Sequence, residues 1–195
     1  FAGRVERPNF SRIKLDFKAL YHLPKIIKET KKGDAYIINF VTKLFEKEGF
    51  KILNQTLFNP ELVLKKGHYT KVKPNEKNFK DIKIGKKLIK NIKLKGVTQG
   101  VVIVDEKVIV PESYKGTDHM LDKAKKKLRK HIFNRKRNGI LLKFPKPNQD
   151  LRTDLPTVGI KTLKKCVDIG LKGIVIKAGR NIFLDKKNSI KIANK

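Results

Sequence analysis

From residue 37 onward the apolar positions Ile37, Phe40, Val41, Leu44 and Phe45 recur at three- and four-residue intervals, the spacing that lays one stripe along an α-helix. The stretch "GDAYIINFVTKLFEKEGF" therefore predicts a helix that stops at Gly49, where the chain can turn left-handed. Upstream, "KALYHLPKIIKE" has helical spacing but contains Pro24, which lacks an N–H, so an interrupted helix is expected there. "FKILN" reads as a short strand, completing a helix-strand unit like the tail of a Rossmann-like half. From Leu57 to Pro74 no period is clear, and Pro60, Gly67 and Pro74 punctuate the stretch.

The pattern then resumes. "NEKNFKDIKIGKKLIKNI" reads as helix, and "VVIVDEKVIV" sets two β-branched runs around Asp105 and Glu106, a hairpin over 101–111. In "KGTDHMLDKAKKKLRK" Thr117 is a natural helix N-cap and Gly116 allows a sharp entry. "GILLKF" is a strand, 159–169 a helix, and "GIVIKAG" and "NIFLD" are further strands. The expected fold class is α/β. Two small α/β domains are read, a partial Rossmann-like one over 1–68 and a mixed sheet with flanking helices over 76–195, joined by a linker at 69–75. The chain opens at Phe1, without an initiator methionine and inside what reads as a structured segment, so a preceding part is expected.

Composition narrows the class. Apolar residues make up 39% and charged residues 34%, and no apolar run approaches the ~18 residues of a membrane span. The single cysteine, Cys166, excludes an internal disulfide framework and fits a reducing cytoplasm; it sits on the apolar side of its helix as a small hydrophobe. The net charge of +30 points first to a nucleic-acid or anionic-surface partner. Yet only eight of the 48 basic residues are arginine, the residue that base readout and bidentate phosphate clamping favour. The lysines are dispersed, and the densest run, "DKAKKKLRKHIFNRKR", reads first as a solvated helix face. A lysine-rich, nonenzymatic RNA- or surface-binding protein is the alternative to an enzyme, but it lacks interleaved exposed aromatics and any RNA motif.

Phosphate-binding glycine loops, zinc-spaced Cys or His pairs and a nucleophile elbow are all missing from the sequence, and His22, His68, His119 and His131 are scattered. Carboxylates beside turn residues remain. Asp118 follows Gly116 and Thr117 at a helix start, where N–H groups and the helix dipole suit a phosphate; plain capping explains the same spacing. In "QDLRTDLPTVG", an extended segment would aim Asp150, Arg152 and Asp154 at one face. Such a face could hold Mg²⁺ and a phosphate together, and a surface salt-bridge cluster at a turn would look the same.

The ordered set "GRVERP", "GDAYIINFVTKLFEKEGF", "TQGVVIVDEKVIVPESYKGTDHML", "GILLKFPKPNQDLRTDLPTVG" and "GIVIKAGRNIFLD" closely resembles the LpxI family, the UDP-2,3-diacylglucosamine pyrophosphatases of lipid A biosynthesis. Nearly the whole chain takes part, from inside the family's N-terminal domain to near the end of its C-terminal domain. The most specific pieces are G-T-D at 116–118 and K-P-x-Q-D-L-R-x-D-x-P-T-x-G from Lys146. Glu106 departs from the pattern, standing where a hairpin glycine is common.

The resemblance implies a cytoplasmic, Mg²⁺-dependent hydrolase of a Gram-negative cell that splits the substrate's pyrophosphate into UMP and lipid X, from a site between two α/β domains. It implies Asp154 as the carboxylate that orients or deprotonates water, and Asp150 as its catalytic and metal-binding partner. Asp118 joins Asp150 and Asp154 as an expected metal ligand. Arg152, Lys143 and Lys146 are expected on phosphoryl oxygens, Gly116 and Thr117 at the substrate turn, and Gln99 and Gln149 as further substrate contacts. Peripheral contact with the inner-membrane surface and association of like copies complete the expectation, with no specific nucleic-acid partner.

Overall fold

A computed structural model of the chain describes residues 14–32, 34–90, 98–129, 138–147 and 149–194. It is a mixed α/β protein. The first segment contributes α1 (Phe17–Lys32) and α2 (Asp34–Lys47), which pack together with the Lys18 ammonium 2.6 Å from a Glu48 carboxylate oxygen. α2 ends as the sequence predicts, at a left-handed Gly49 with φ +84°, where the Phe50 N–H closes back on the Phe45 carbonyl at 3.0 Å. Two expectations fail here. Pro24 lies inside a continuous α1: the helix buries none of its residues, so the carbonyl that Pro24 leaves unbonded is not stranded in an apolar core. Residues 50–54 do not form a strand, because among the described residues no other strand lies beside them to complete a ladder, and Phe50 and Leu53 stay exposed.

Past a 3-10 turn at Pro60–Leu62, α3 (Glu76–Ile89) begins at a reciprocal capping box: the Asn75 side chain accepts from the Asn78 N–H, and the Asn78 side chain accepts from the Asn75 N–H. β1 (Gly100–Val104) and β2 (Lys107–Pro111) form the predicted hairpin. Its two-residue turn carries Asp105 at φ +48° and Glu106 at φ +63°, the paired left-handed residues that let the turn follow the strands' twist. α4 (Gly116–Arg129), β3 (Ile140–Lys143), β4 (Thr157–Val158), α5 (Ile160–Ile169), β5 (Gly173–Ile176), β6 (Ile182–Phe183) and α6 (Lys186–Ala193) follow. The periodicity had given no sign of β4 or α6, each being too short to show a period. Much of the lysine run at 122–137 lies beyond α4 and outside the described residues.

The main sheet has the order β2-β1-β3-β5, antiparallel except for the parallel β3-β5 pair. Strand parity sorts its side chains. Val101, Ile103, Ile140 and Leu142 face α3 with Ile89, whereas Val102 and Leu141 face α4 and α5 with Met120, Leu121, Ala124, Cys166 and Ile169. Covering both faces explains why β1 and β3 read as unbroken apolar runs, each fully buried side chain stabilising by about 1.5–3 kcal/mol. α3 comes this close because Gly85 faces the sheet: a Cβ there would sit 2.9 Å from Ile103 Cδ1. Cys166 is buried as expected, which pushes its thiol up to about 12. A second, two-stranded sheet of parallel β4 and β6 packs Val158 and Phe183 against Leu64 and Leu163, and Val63 bridges Ile182.

Parity also fixes what happens at the strand ends. Gly100 and Lys143, opposite each other in the β1-β3 register, take the α4 side of the sheet with Val102 and Leu141, at the point where β3 runs out. A lysine is thereby carried to the rim of an apolar layer.

Asp81 on α3 is buried and accepts the Glu106 N–H at 2.7 Å, tying helix to hairpin turn. Burial holds its carboxyl above the usual range, with Asp105 and Glu106 adding repulsion. An acid raised in the folded state binds its proton more tightly there, so stability from this group rises as pH falls and is lost as pH climbs through the folded value. Asp81→Asn, which keeps the acceptor and drops the charge, should therefore match or exceed wild-type stability at pH 7, the difference vanishing below about pH 3. Asp81→Ala should lose about 1–3 kcal/mol by stranding the Glu106 N–H. Denaturant titrations across pH would show this, and a clear loss for Asp81→Asn at pH 7 would contradict it.

Candidate active site

Three backbone pieces meet at the end of β3: the entrance of α4, the segment 144–157 leading into β4, and the turn between β5 and β6. Lys143, only 7% exposed, joins them. Its Nζ donates to Thr117 Oγ1 at 2.7 Å and to the Thr157 carbonyl at 3.0 Å, while its own carbonyl accepts from Asn181 Nδ2 at 3.1 Å. Burial pushes the ammonium's pKa down, and the negative charges of Glu112 and Asp118 pull it partway back.

Thr117 does not cap α4. The helix begins at Gly116, left-handed at φ +82°, so Thr117 lies within the first turn and its hydroxyl donates to Glu112 Oε1 at 2.7 Å. Gly116 thus makes the sharp entry that the sequence predicts. Glu112, just after β2, is itself buried, with Oε2 lacking a hydrogen-bond partner. Asp118 turns toward α5: its carboxylate pairs with Lys161 at 2.5 Å and lies 3.8 Å from Lys165, which bonds Asp122 at 2.8 Å.

Beyond β3 the Phe144 N–H donates to the Gln99 carbonyl at 2.8 Å, which sets Gln99 beside the segment. Gln149 is buried, and its Oε1 accepts the Lys146 N–H at 2.9 Å, while Nε2 has no partner. Residues 150–154 are then a tight turn, not the extended run that alternation suggested. The Asp150 carbonyl accepts the Thr153 N–H at 3.2 Å and the Asp154 N–H at 2.9 Å, and its side chain accepts the Arg152 N–H at 2.9 Å. An aspartate that bonds the backbone two residues on nucleates a turn, and here it outweighs the strand reading.

Asp150 and Arg152 still converge, through the turn. Arg152 Nε lies 3.1 and 3.2 Å from the two Asp150 oxygens and Nη2 lies 2.8 Å from one of them, holding the carboxyl below its usual range. Arg152 Nη1 reaches Glu46 on α2 at 2.6 Å, and the Arg152 carbonyl accepts the Gln55 N–H at 3.0 Å. Asp154 is stationed by its backbone one helical turn beyond Asp150.

The structure therefore joins Thr117 with Lys143, Lys146 with Gln149, and Asp150 with Arg152, and it places Gln99 beside Phe144. Glu112, Thr157 and Asn181 escaped the sequence reading. Glu112 had a faint signal, an acid straight after an apolar strand; Thr157 acts through a carbonyl and Asn181 through a turn amide, neither visible in a pattern. As a preformed magnesium cage, Asp118, Asp150 and Asp154 do not fit. Both Asp150 oxygens face Arg152, Asp118 faces Lys161, and among the described residues no group of three or more His, Cys, Asp or Glu gathers around one point. The donor set suits only magnesium's looser mode, one or two carboxylates with the remaining ligands from water and substrate phosphates.

Arg152 links α2 to the turn through two carboxylates at once, a geometry that a single ammonium cannot reproduce. Arg152→Lys should loosen this link and speed hydrogen exchange at the Gln55 N–H, with little effect on global stability because these pairs are partly solvated. Exchange measured by NMR would show it, and unchanged protection at Gln55 would mean that the guanidinium does not hold the two segments together.

Comparison with known proteins gives a consistent result. Residues 1–62 match the family model of the LpxI N-terminal domain, and residues 65–195 match that of the LpxI C-terminal domain. The chain is 37% identical over 196 residues to UDP-2,3-diacylglucosamine pyrophosphatase LpxI of Caulobacter vibrioides, an alignment covering 100% of this chain and 70% of that relative. With both domain models matched in order over the chain and a relative 37% identical along the whole length of this chain, the chain belongs to the LpxI family.

Proposed function

We propose that this protein hydrolyses the pyrophosphate bond of UDP-2,3-diacylglucosamine, giving UMP and 2,3-diacylglucosamine 1-phosphate. The observation that carries the reading is the tight turn 150–154, which holds two carboxylates and an arginine together in the segment that follows the strand ending at the buried Lys143. The Caulobacter relative's name supplies the substrate.

Hydrolysis adds water across a P–O–P bridge: the water oxygen joins one phosphorus, the bridging oxygen leaves on the other, and one proton must be removed from the attacking water. Asp154 accepts that proton or orients the water, a role for a carboxylate stationed by its backbone. Asp150 holds Arg152 in place and would be one of the carboxylates offered to a metal, and Arg152 and Lys146 take charge on the phosphoryl oxygens. Lys143 adds a cation in a site shielded from water, where charge acts more strongly than in bulk solvent. Gly116 and Thr117 offer the α4 entrance to a phosphate, and Gln99 and Gln149 contact the sugar nucleotide. Mg²⁺, entering with the pyrophosphate and held by Asp150, Asp154 or Asp118, would neutralise phosphate charge and acidify the water.

No helix among the described residues is long and apolar enough to cross a membrane. A diacylated substrate nevertheless resides at a bilayer, so the reading puts the enzyme in the cytoplasm with peripheral contact at the inner-membrane face. The net charge of +30 favours such an anionic surface.

The test is product formation by the full-length protein. Asp154→Ala should lower UMP release by roughly two to four orders of magnitude without a large drop in Tm. Chelation should abolish turnover and Mg²⁺ restore it, because two phosphates and nearby carboxylates repel unless a cation sits among them. Near-normal turnover by a well-folded Asp154→Ala protein would reduce the turn to a structural feature, and full turnover in excess chelator would remove the metal.

A further inference from the structure

Glu112 has no part in the site as assigned above, yet it is among the most constrained acids described. It is 7% exposed, its N–H donates to the Gly100 carbonyl at 2.8 Å, and its carbonyl accepts from Thr98 Oγ1 at 3.3 Å. Backbone bonds on both sides fix where its side chain starts. One carboxylate oxygen accepts from Thr117 Oγ1 at 2.7 Å, and the same hydroxyl oxygen accepts from Lys143 Nζ at 2.7 Å. A hydroxyl has one proton, and both an ammonium and an ionised carboxylate have only one possible role, so the relay runs in one direction: Lys143 to Thr117 to Glu112. A buried ammonium needs a negative charge near it, and this carboxylate, one hydroxyl away, supplies it.

We propose that Glu112 is a positioning residue for Lys143: through the Thr117 hydroxyl, its buried carboxylate holds the Lys143 ammonium charged and aimed at the entrance of α4. The inference rests on the reaction proposed above for Lys143 but assigns a residue which that reading leaves idle. It also explains Gly100. That glycine faces the carboxylate, and a Cβ there would lie 2.8 Å from Glu112 Oε2 and 3.2 Å from Met120 Cε, so a side chain at this position would displace the acid from its bond to Thr117. Asp118 is the other negative group that bears on Lys143, but its carboxylate is already shared with Lys161 and Lys165 on α5.

A double-mutant cycle on the full-length protein tests this, with UMP release and Tm measured for wild type, Glu112→Gln, Lys143→Met and the double variant. Glu112→Gln keeps the size and the acceptor but removes the charge; it should lower kcat by roughly tenfold or more while KM moves less than about twofold. In the Lys143→Met background the same change should cost less than about twofold more, because its target is gone. Gly100→Ala keeps every charge and should also lower kcat only where Lys143 is present, so it carries the test if Glu112→Gln folds poorly. A merely structural glutamate would cost the same factor in both backgrounds, and that result, or an unchanged kcat in Glu112→Gln and Gly100→Ala, overturns the proposal. Should the wild type release no UMP, the pyrophosphatase reading fails separately. The Tm cycle then decides the pairing, with losses smaller in the double variant than the sum supporting it and additive losses overturning it.

Discussion

An ammonium group buried at the end of the central strand is the constraint around which this site is arranged. Lys143 is in the sheet by its backbone, paired with Gly100 on one side and Ile176 on the other, and strand parity sends its side chain toward α4 at the rim of an apolar layer. Withdrawing such a charge from water is costly unless polar groups replace the lost solvent. The replacements come from three different parts of the chain: Thr117 at the start of α4, the Thr157 carbonyl at β4, and Glu112 behind Thr117. Asn181 secures the lysine's own carbonyl from the β5–β6 turn, where its side chain also accepts the Lys177 N–H at 2.9 Å. Satisfying the ammonium and the carbonyl of one residue thus brings the α4 entrance, the β4 segment and the β5–β6 turn to one point.

The turn at 150–154 attaches to that point by sequence and to the first segment by charge. Arg152 bonds Asp150 within the turn and Glu46 on α2, and its carbonyl receives the Gln55 N–H. Each ion pair is partly exposed and weak by itself. Together with the backbone bond they fix the orientation of the guanidinium more than they add stability, which suits the phosphate-holding role proposed for it. In that proposed role, a substrate phosphate would compete with Glu46 and Asp150 for the same guanidinium.

Helices with a clear period and β-branched or apolar strand runs, down to the short β6, were legible in the sequence, whereas β4, α6 and the tertiary contacts of the site were not. α2, α3, α5 and the β1-β2 hairpin were read from residue patterning, with Gly49 marking the end of α2. Pro24 misled because an exposed helix tolerates a lost bond, and 50–54 misled because a β-like composition makes a strand only beside a partner. In the candidate site, the local geometry of G-T-D and Q-D-L-R-x-D depended on competition that a pattern does not show: Asp150 closing a turn, and Thr117 bonding Glu112 in place of the helix end. Glu112 left only a faint signal and Asn181 none, because their roles arise from contacts made on folding, Glu112 with Gly100 and Thr98 and Asn181 with the Lys143 carbonyl.

The central claim is that this buried cation, held by the α4 entrance, serves pyrophosphate hydrolysis. Phosphorus NMR of UDP-2,3-diacylglucosamine incubated with full-length wild type and with Lys143→Met tests it directly. The account predicts conversion of the diphosphate signals to those of UMP and a sugar 1-phosphate by wild type, with a roughly hundredfold to thousandfold slower conversion by a folded Lys143→Met protein, the loss expected for one preorganised charge-stabilising group. Equal rates for the two proteins, or diphosphate signals that persist with wild type and magnesium present, would contradict it.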